Sequence, residues 1–191
     1  DSVITNTKNA ISIPLIEKFS KNKTTIICGS TWPQDEFLLH KYIKKNPNYN
    51  YIIAPHELQN VNEFKKQSNA LLLSKANNTN INNNNVLIID SIGILSNAYK
   101  YGNIAYIGGG FGAGIHNILE AVTFGLPVVF GPNYQKFKEA NELIELGVAK
   151  SISNYLELEI TILSYINFNE SIAKNYIKSN AGATDIIISS I

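Results

Sequence analysis

Ile104–Gly131 runs IAYIGGGFGAGIHNILEAVTFGLPVVFG. An apolar strand, Ile104–Ile107, enters five glycines within positions 108–114; a segment of helical period, Ile115–Phe124, follows, and a second apolar strand spans Pro127–Phe130. Strand, helix and strand in that order make a parallel unit. Clustered glycines permit close backbone approach and positive φ, and a helix opening at about Ile115 would present unpaired N–H groups and the positive end of its dipole. The stretch therefore predicts an anion site; the alternative is a tight connection whose glycines serve packing alone.

The same alternation extends outward. Short apolar runs at Thr24–Cys28, Tyr51–Ala54, Ala70–Leu73 and Val86–Ile89 join the two above to give six expected strands. Apolar residues three and four apart predict helices near 11–21, 34–45, 58–68, 92–101, 115–124 and 136–146, with two or three more from about Tyr155. Most strands are apolar throughout, as where helices cover both faces. The expectation is an α/β, Rossmann-like single domain over residues 1–191 with a parallel sheet of about six strands. Asn77–Asn85 (NNTNINNNN) is too polar to offset its ordering entropy and is expected to be a mobile loop on a rim of the sheet.

Composition narrows the function. The 191 residues are 45% hydrophobic and 16% charged, enough for a buried core. The net charge of +1 supplies no field for nucleic acid. All sixteen basic residues are Lys, so the bidentate guanidinium clamp is absent and backbone N–H groups, Lys or His must hold any phosphate. Cys28 stands alone in an apolar run and reads as a buried structural thiol. No apolar run reaches the roughly 20 residues that span a bilayer. The absence of Met, even at position 1, makes a fragment of a longer protein the expectation.

Gly108-x-Gly110-x-x-Ala113 satisfies a loose dinucleotide fingerprint, but the glycines follow the fifth strand and no acid ends the next, which argues against NAD. His116, Asn117 and Glu120 would share one face of the helix, with Glu120 able to accept ribose hydroxyls; equally, Glu120 could complement the dipole and His116 cap the helix. Gly29-Ser30-Thr31, His56-Glu57 and Asp90-Ser91 follow three other strands, and in an open parallel sheet such loops converge on one rim. No metal-ligand spacing, nucleophile elbow or P-loop occurs.

Taken together, Gly29-Ser30-Thr31 with Asp35-Glu36, Ala54-Pro55-His56-Glu57, Ile89-Asp90-Ser91-Ile92-Gly93, Tyr106 to Phe111, Gly114-Ile115-His116-Asn117-x-x-Glu120-Ala121, Gly125-x-Pro127 and Phe130 to Phe137 resemble the C-terminal half of bacterial 3-deoxy-D-manno-octulosonic acid (Kdo) transferases, glycosyltransferases of the two-domain GT-B type. The resemblance implies a domain that binds CMP-Kdo without metal or further cofactor. An N-terminal half would bind the lipid A precursor and supply the general base, at the cytoplasmic face of the bacterial inner membrane. It implies that Gly29, Ser30 and Thr31 line the donor pocket, that His56 lies near phosphate or sugar, and that Ile92 and Gly93 face the cytosine. Gly109, Gly110 and the following helix start would hold the phosphate, Phe111 and His116 would belong to the donor-binding set, Asn117 would orient the donor and Glu120 would bind ribose. Helices from about 155 to 191 would dock on the other half, leaving Ile186, Ile187 and Ile188 exposed in a fragment. The chain departs from the family in lacking Arg near Pro55-His56 and in carrying Trp32-Pro33 after Gly-Ser-Thr. A GT-B transferase using a UDP-sugar and a non-catalytic nucleotide-binding module remain alternatives.

Overall fold

The computed structural model describes residues 11–180. In chain order the elements are α1 (Pro14–Ser20), β1 (Thr25–Thr31), α2 (Pro33–Lys45), β2 (Asn50–Pro55), α3 (Val61–Ser68), β3 (Leu71–Leu72), β4 (Val86–Ile88), α4 (Leu95–Ala98), β5 (Ile104–Ile107), α5 (Leu119–Thr123), β6 (Val128–Phe130), α6 (Lys138–Glu145), β7 (Ala149–Ser151), α7 (Tyr155–Tyr165) and α8 (Glu170–Asn180). The sheet is parallel throughout, in the order β3-β4-β2-β1-β5-β6-β7. The chain winds outward from β1 on one side, then returns to place β5 against the other side of β1. The order reverses there, so a crevice opens beyond the carboxyl ends of β1 and β5.

Alternation along each strand builds two cores. Ile26 and Cys28 of β1, Tyr106 of β5 and Val129 of β6 meet Leu39 and Tyr42 of α2, Phe64 of α3 and Leu158 and Ile162 of α7. Ile27, Ala105, Ile107, Val128 and Phe130 face the opposite layer, with Ile16 and Phe19 of α1, Tyr99, Val122 of α5, Leu143 of α6 and Ala173 of α8. Burial, with Asp35 nearby, pushes the Cys28 thiol well above its ordinary value, which suits an inert core residue.

Four expectations change. A seventh strand, Ala149–Ser151, joins the edge; exposed Lys150 between its neighbours masks it in the sequence. The helix expected over 92–101 contracts to the single turn α4 and a 3-10 turn at Tyr99–Tyr101. The helix expected from Ile115 begins only at Leu119. The Asn-rich run is held: Asn77 Oδ1 accepts from the N–H groups of Thr79 and Asn80, and Ile81 is fully buried. Because Asn85 receives Tyr51 N–H at the start of β2, this run lies at the amino end of the strands, opposite the crevice. Ile186, Ile187 and Ile188 lie outside the described residues.

Candidate functional site

The crevice is built from the end of β1 upward. Ser30 takes a left-handed conformation (φ 53°) that interrupts the register between Gly29 and Thr31. The Ser30 carbonyl then lies so close to Gly108 that a Cβ there would stand 2.1 Å from it. Thr31 O accepts His56 N–H at 2.9 Å, drawing the end of β2 alongside, while the buried Thr31 hydroxyl donates to Glu36 Oε1 at 3.0 Å. A Cβ on Gly29 would stand 2.1 Å from Tyr99 Oη and 3.0 Å from Leu95, so the first loop is closed against α4 and the turn after it.

Asp35 is the hub. Pro33 opens α2, where a missing N–H is harmless, and Asp35 in the first turn reaches back to accept Trp32 N–H at 2.9 Å. The same oxygen accepts Gly109 N–H at 2.9 Å, and Oδ1 accepts the Tyr106 hydroxyl at 2.7 Å. The side chain is wholly buried. One carboxylate thus ties α2, β5 and the glycine loop together with three donors.

The glycine loop closes on itself. Gly109 (φ 90°) offers its carbonyl to the N–H groups of Gly112 and Gly114, and His116 N–H returns to Gly108 O. A Cβ on Gly110 would stand 2.6 Å from Gly131 N. From outside, Asn133 N–H donates to Gly110 O, Asn133 Nδ2 to Gly112 O at 2.8 Å and Lys136 Nζ to Ala113 O at 3.0 Å. Phe111 turns to the core containing α2 and α7. Among the described residues, the amides of Gly110, Phe111 and Ala113 donate to no protein acceptor.

This corrects the expected helix start behind the glycine loop. Residues 114–118 form neither helix nor strand, and α5 has five residues, so no helix dipole addresses the loop and Gly109 N–H serves Asp35. His116, Asn117 and Glu120 accordingly do not share one helical face. Asn117 instead accepts Leu119 N–H at 3.1 Å and donates to Glu120 Oε1 at 3.1 Å. Burial holds the Glu120 carboxyl above the ordinary carboxylate range, with Asn117 partly opposing it. That half-buried carboxylate retains acceptor capacity for hydroxyl groups.

Rings complete the crevice. Trp32 stacks on His56 with centroids 4.4 Å apart and planes at 22°, His56 and His116 are 4.5 Å apart, and Trp32 Nε1–H donates to His116 Nε2 at 3.0 Å. Burial and His56 hold the His116 imidazole below its ordinary value, against the opposing pull of Asp35. Beside the rings lies a cavity of about 340 Å³ lined by Trp32, Gln34, Gly109, Gly112, Ala113, Gly114 and His116. The structure therefore brings Gly109 and His116 into one cavity wall, with His56 stacked behind it. Gly29, Ser30 and Thr31 are not among the cavity's lining residues. Ile92, 92% exposed, and Gly93 (φ 86°) do not line this cavity, while Asp90 bonds Ser74 after β3. Trp32, Asp35, Asn133 and Lys136 join this site without being expected from the sequence. Acid three residues after Trp32 at a helix start was the available signal for Asp35. Among the described residues no group of three or more His, Cys, Asp or Glu is placed to hold a metal ion, and no helix is long and apolar enough to cross a membrane.

A doubly wound parallel sheet with a crevice at the β1/β5 reversal is the architecture that C-terminal domains of GT-B proteins have. No family model matches the chain. It is 29% identical over 180 residues to a 3-deoxy-D-manno-octulosonic acid transferase of Rickettsia prowazekii, covering 86% of this chain and 39% of that protein. It is 30% identical over 135 residues to the Aquifex aeolicus enzyme of the same name, covering 69% and 38%. Its fold matches the crystal structure of the C-terminal CMP-Kdo binding domain of WaaA from Acinetobacter baumannii with a TM-score of 0.69 at 20% identity, over 90% of this chain and 94% of that one. The chain belongs to the Kdo transferase family and corresponds to its C-terminal domain. It spans about two-fifths of the length of the curated relatives it matches.

Proposed function

We propose that this chain is the donor-binding domain of a glycosyltransferase that moves Kdo from CMP-Kdo to a lipid A precursor in lipopolysaccharide biosynthesis. The observation that carries this reading is the cavity at the β1/β5 reversal, walled by the glycine loop and by Trp32 and His116. Half-buried Glu120 stands on the helix that leaves the loop. In this reading the amides of Gly110, Phe111 and Ala113 and the His116 ring meet the CMP phosphate, and Glu120 accepts ribose hydroxyls. During transfer the bond between the anomeric carbon and the phosphate oxygen breaks as the acceptor oxygen bonds that carbon. Charge then gathers on the departing phosphate, where oriented N–H donors stabilise it. A companion N-terminal half, in keeping with the greater length of the relatives, would bring the acceptor and the base at the cytoplasmic membrane surface.

Calorimetric titration of the chain with CMP, with UDP and NAD as controls, tests the reading. Saturable CMP binding is expected, weakened by more than about 1 kcal/mol in Glu120→Ala, the scale of a hydrogen bond to a charged group. Preference for UDP would move the assignment to another donor, and binding unaffected by Glu120→Ala would remove that residue from the site.

A further inference from the structure

The chain has no Arg, and the glycine loop keeps most of its amides for itself: Gly109 N–H serves Asp35, those of Gly112 and Gly114 serve Gly109 O, and that of His116 serves Gly108 O. Beyond the amides of Gly110, Phe111 and Ala113, further donors for an anionic ligand must therefore come from side chains. Trp32 bears on this directly. Its indole N–H, which can only donate, is 3.0 Å from His116 Nε2. A ring nitrogen that accepts such a bond carries no proton, so the proton of the neutral imidazole resides on Nδ1. A proton on Nε2 would set two N–H groups against each other at that distance. Stacking on His56 holds the indole plane, and His116 lies 10° from parallel to it, so the three rings fix one another.

We propose that Trp32 is a positioning residue that locks His116 in the Nδ1–H tautomer, so that a neutral histidine offers an N–H donor to the phosphate of a nucleotide in the cavity both residues line. The identity of the ligand rests on the donor-binding reading above; the lock rests on the ring geometry alone. Among the described residues no acceptor is bonded to Nδ1. The titratable groups around His116 are His56 from the loop after β2, Asp35 from α2 and Lys136 beyond β6, which bonds the adjoining Ala113 carbonyl. Burial and His56 disfavour the imidazolium, as does the Trp32 bond. A neutral donor keeps its proton above neutral pH, whereas an imidazolium would release its grip on phosphate as pH rises through its pKa.

The test is a multiple-bond proton–nitrogen correlation spectrum of the histidine rings in the ¹⁵N-labelled chain, recorded with and without CMP and repeated in Trp32→Phe. Phenylalanine keeps an aromatic ring against His56, though a smaller one, and removes the donor. In the unsubstituted chain His116 should show a protonated Nδ1 and a bare Nε2, and CMP should move the Nδ1 resonance. Trp32→Phe should give a mixed tautomer, with CMP affinity lower by about fivefold, the scale of one hydrogen bond, and with the His40 signals unchanged. CMP affinity should hold between about pH 7 and pH 8.5, well above the ordinary histidine pKa. A proton on Nε2 in the unsubstituted chain, which requires no variant to fold, overturns the lock, as does an unchanged tautomer in Trp32→Phe. Should CMP fail to bind while the tautomer is as stated, the donor-binding reading is what fails. Inorganic phosphate then decides the donor role, and an Nδ1 resonance that does not respond to it overturns that role.

Discussion

Asp35 receives the hydroxyl of Tyr106 and the N–H groups of Trp32 and Gly109 while wholly buried. An amide in its place offers one oxygen and sets its own N–H groups against donors. Asp35→Asn is therefore expected to lose on the order of 3 kcal/mol in urea unfolding, because buried donors lose their acceptor. Glu120 behaves oppositely. Burial raises its folded pKa above the unfolded value, so the favourable protonated contribution is full below the ordinary carboxylate range and is lost as pH rises through the raised folded value. At neutral pH the charge is held at a cost. Glu120→Gln should raise the melting temperature at pH 8 and change it little at pH 4, while weakening CMP in calorimetry. A residue whose removal stabilises the fold but impairs binding is what a site predicts and a packing role does not.

Helix α7 shows how an element can be half committed. Leu158 and Ile162 are buried against the sheet, whereas Leu156, Ile160 and Leu163 on the outer side remain 61, 57 and 55% exposed. Leu158→Ala and Ile162→Ala should each cost about 2–4 kcal/mol in chemical unfolding, from lost burial and the cavity left behind. Leu156→Gln and Ile160→Gln should stay within about 0.5 kcal/mol. The glycine loop allows an equally sharp contrast. Gly110→Ala would thrust a methyl into the Gly131 backbone, whereas at Gly112 the nearest atom to an added Cβ is Gly109 O at 3.6 Å. Gly110→Ala should lower the melting temperature by several degrees, given that overpacking costs about 1–3 kcal/mol; Gly112→Ala should leave it unchanged. Equal effects would mean the loop is not closed as described.

Across the molecule, the reversal of strand order gathers loops from distant parts of the chain at one rim. Tyr106 and Asp35 are 71 residues apart, and Trp32 and His116 are 84 apart. A ligand seated there couples to global stability, since it binds the folded chain and not the unfolded one. CMP at a hundredfold its Kd should add about 2.7 kcal/mol, raising the melting temperature by about 5–10 °C in a thermal scan. The gain should shrink in Trp32→Phe. An unchanged melting temperature at saturating CMP would count against the nucleotide reading at this scale.

The sequence by itself determined the α/β class, the strand positions other than the edge strand β7, and the rim at which the crevice opens. Each depends on local period or on apolar runs that bury both faces of a sheet. The family, too, was legible, because residues from Gly29 to Phe137 carry its motifs in order. Only the tertiary structure decided how those motifs meet. Local pattern favoured a helix from Ile115, but Gly109 closing on Gly112 and Gly114 and His116 returning to Gly108 O keep the segment out of a helix until Leu119. The bonds that close the loop there outweigh propensity. Asp35 at the centre of the loop, and Trp32 on His116, were beyond local reading because both are pairings between chain segments brought together when β5 is laid beside β1.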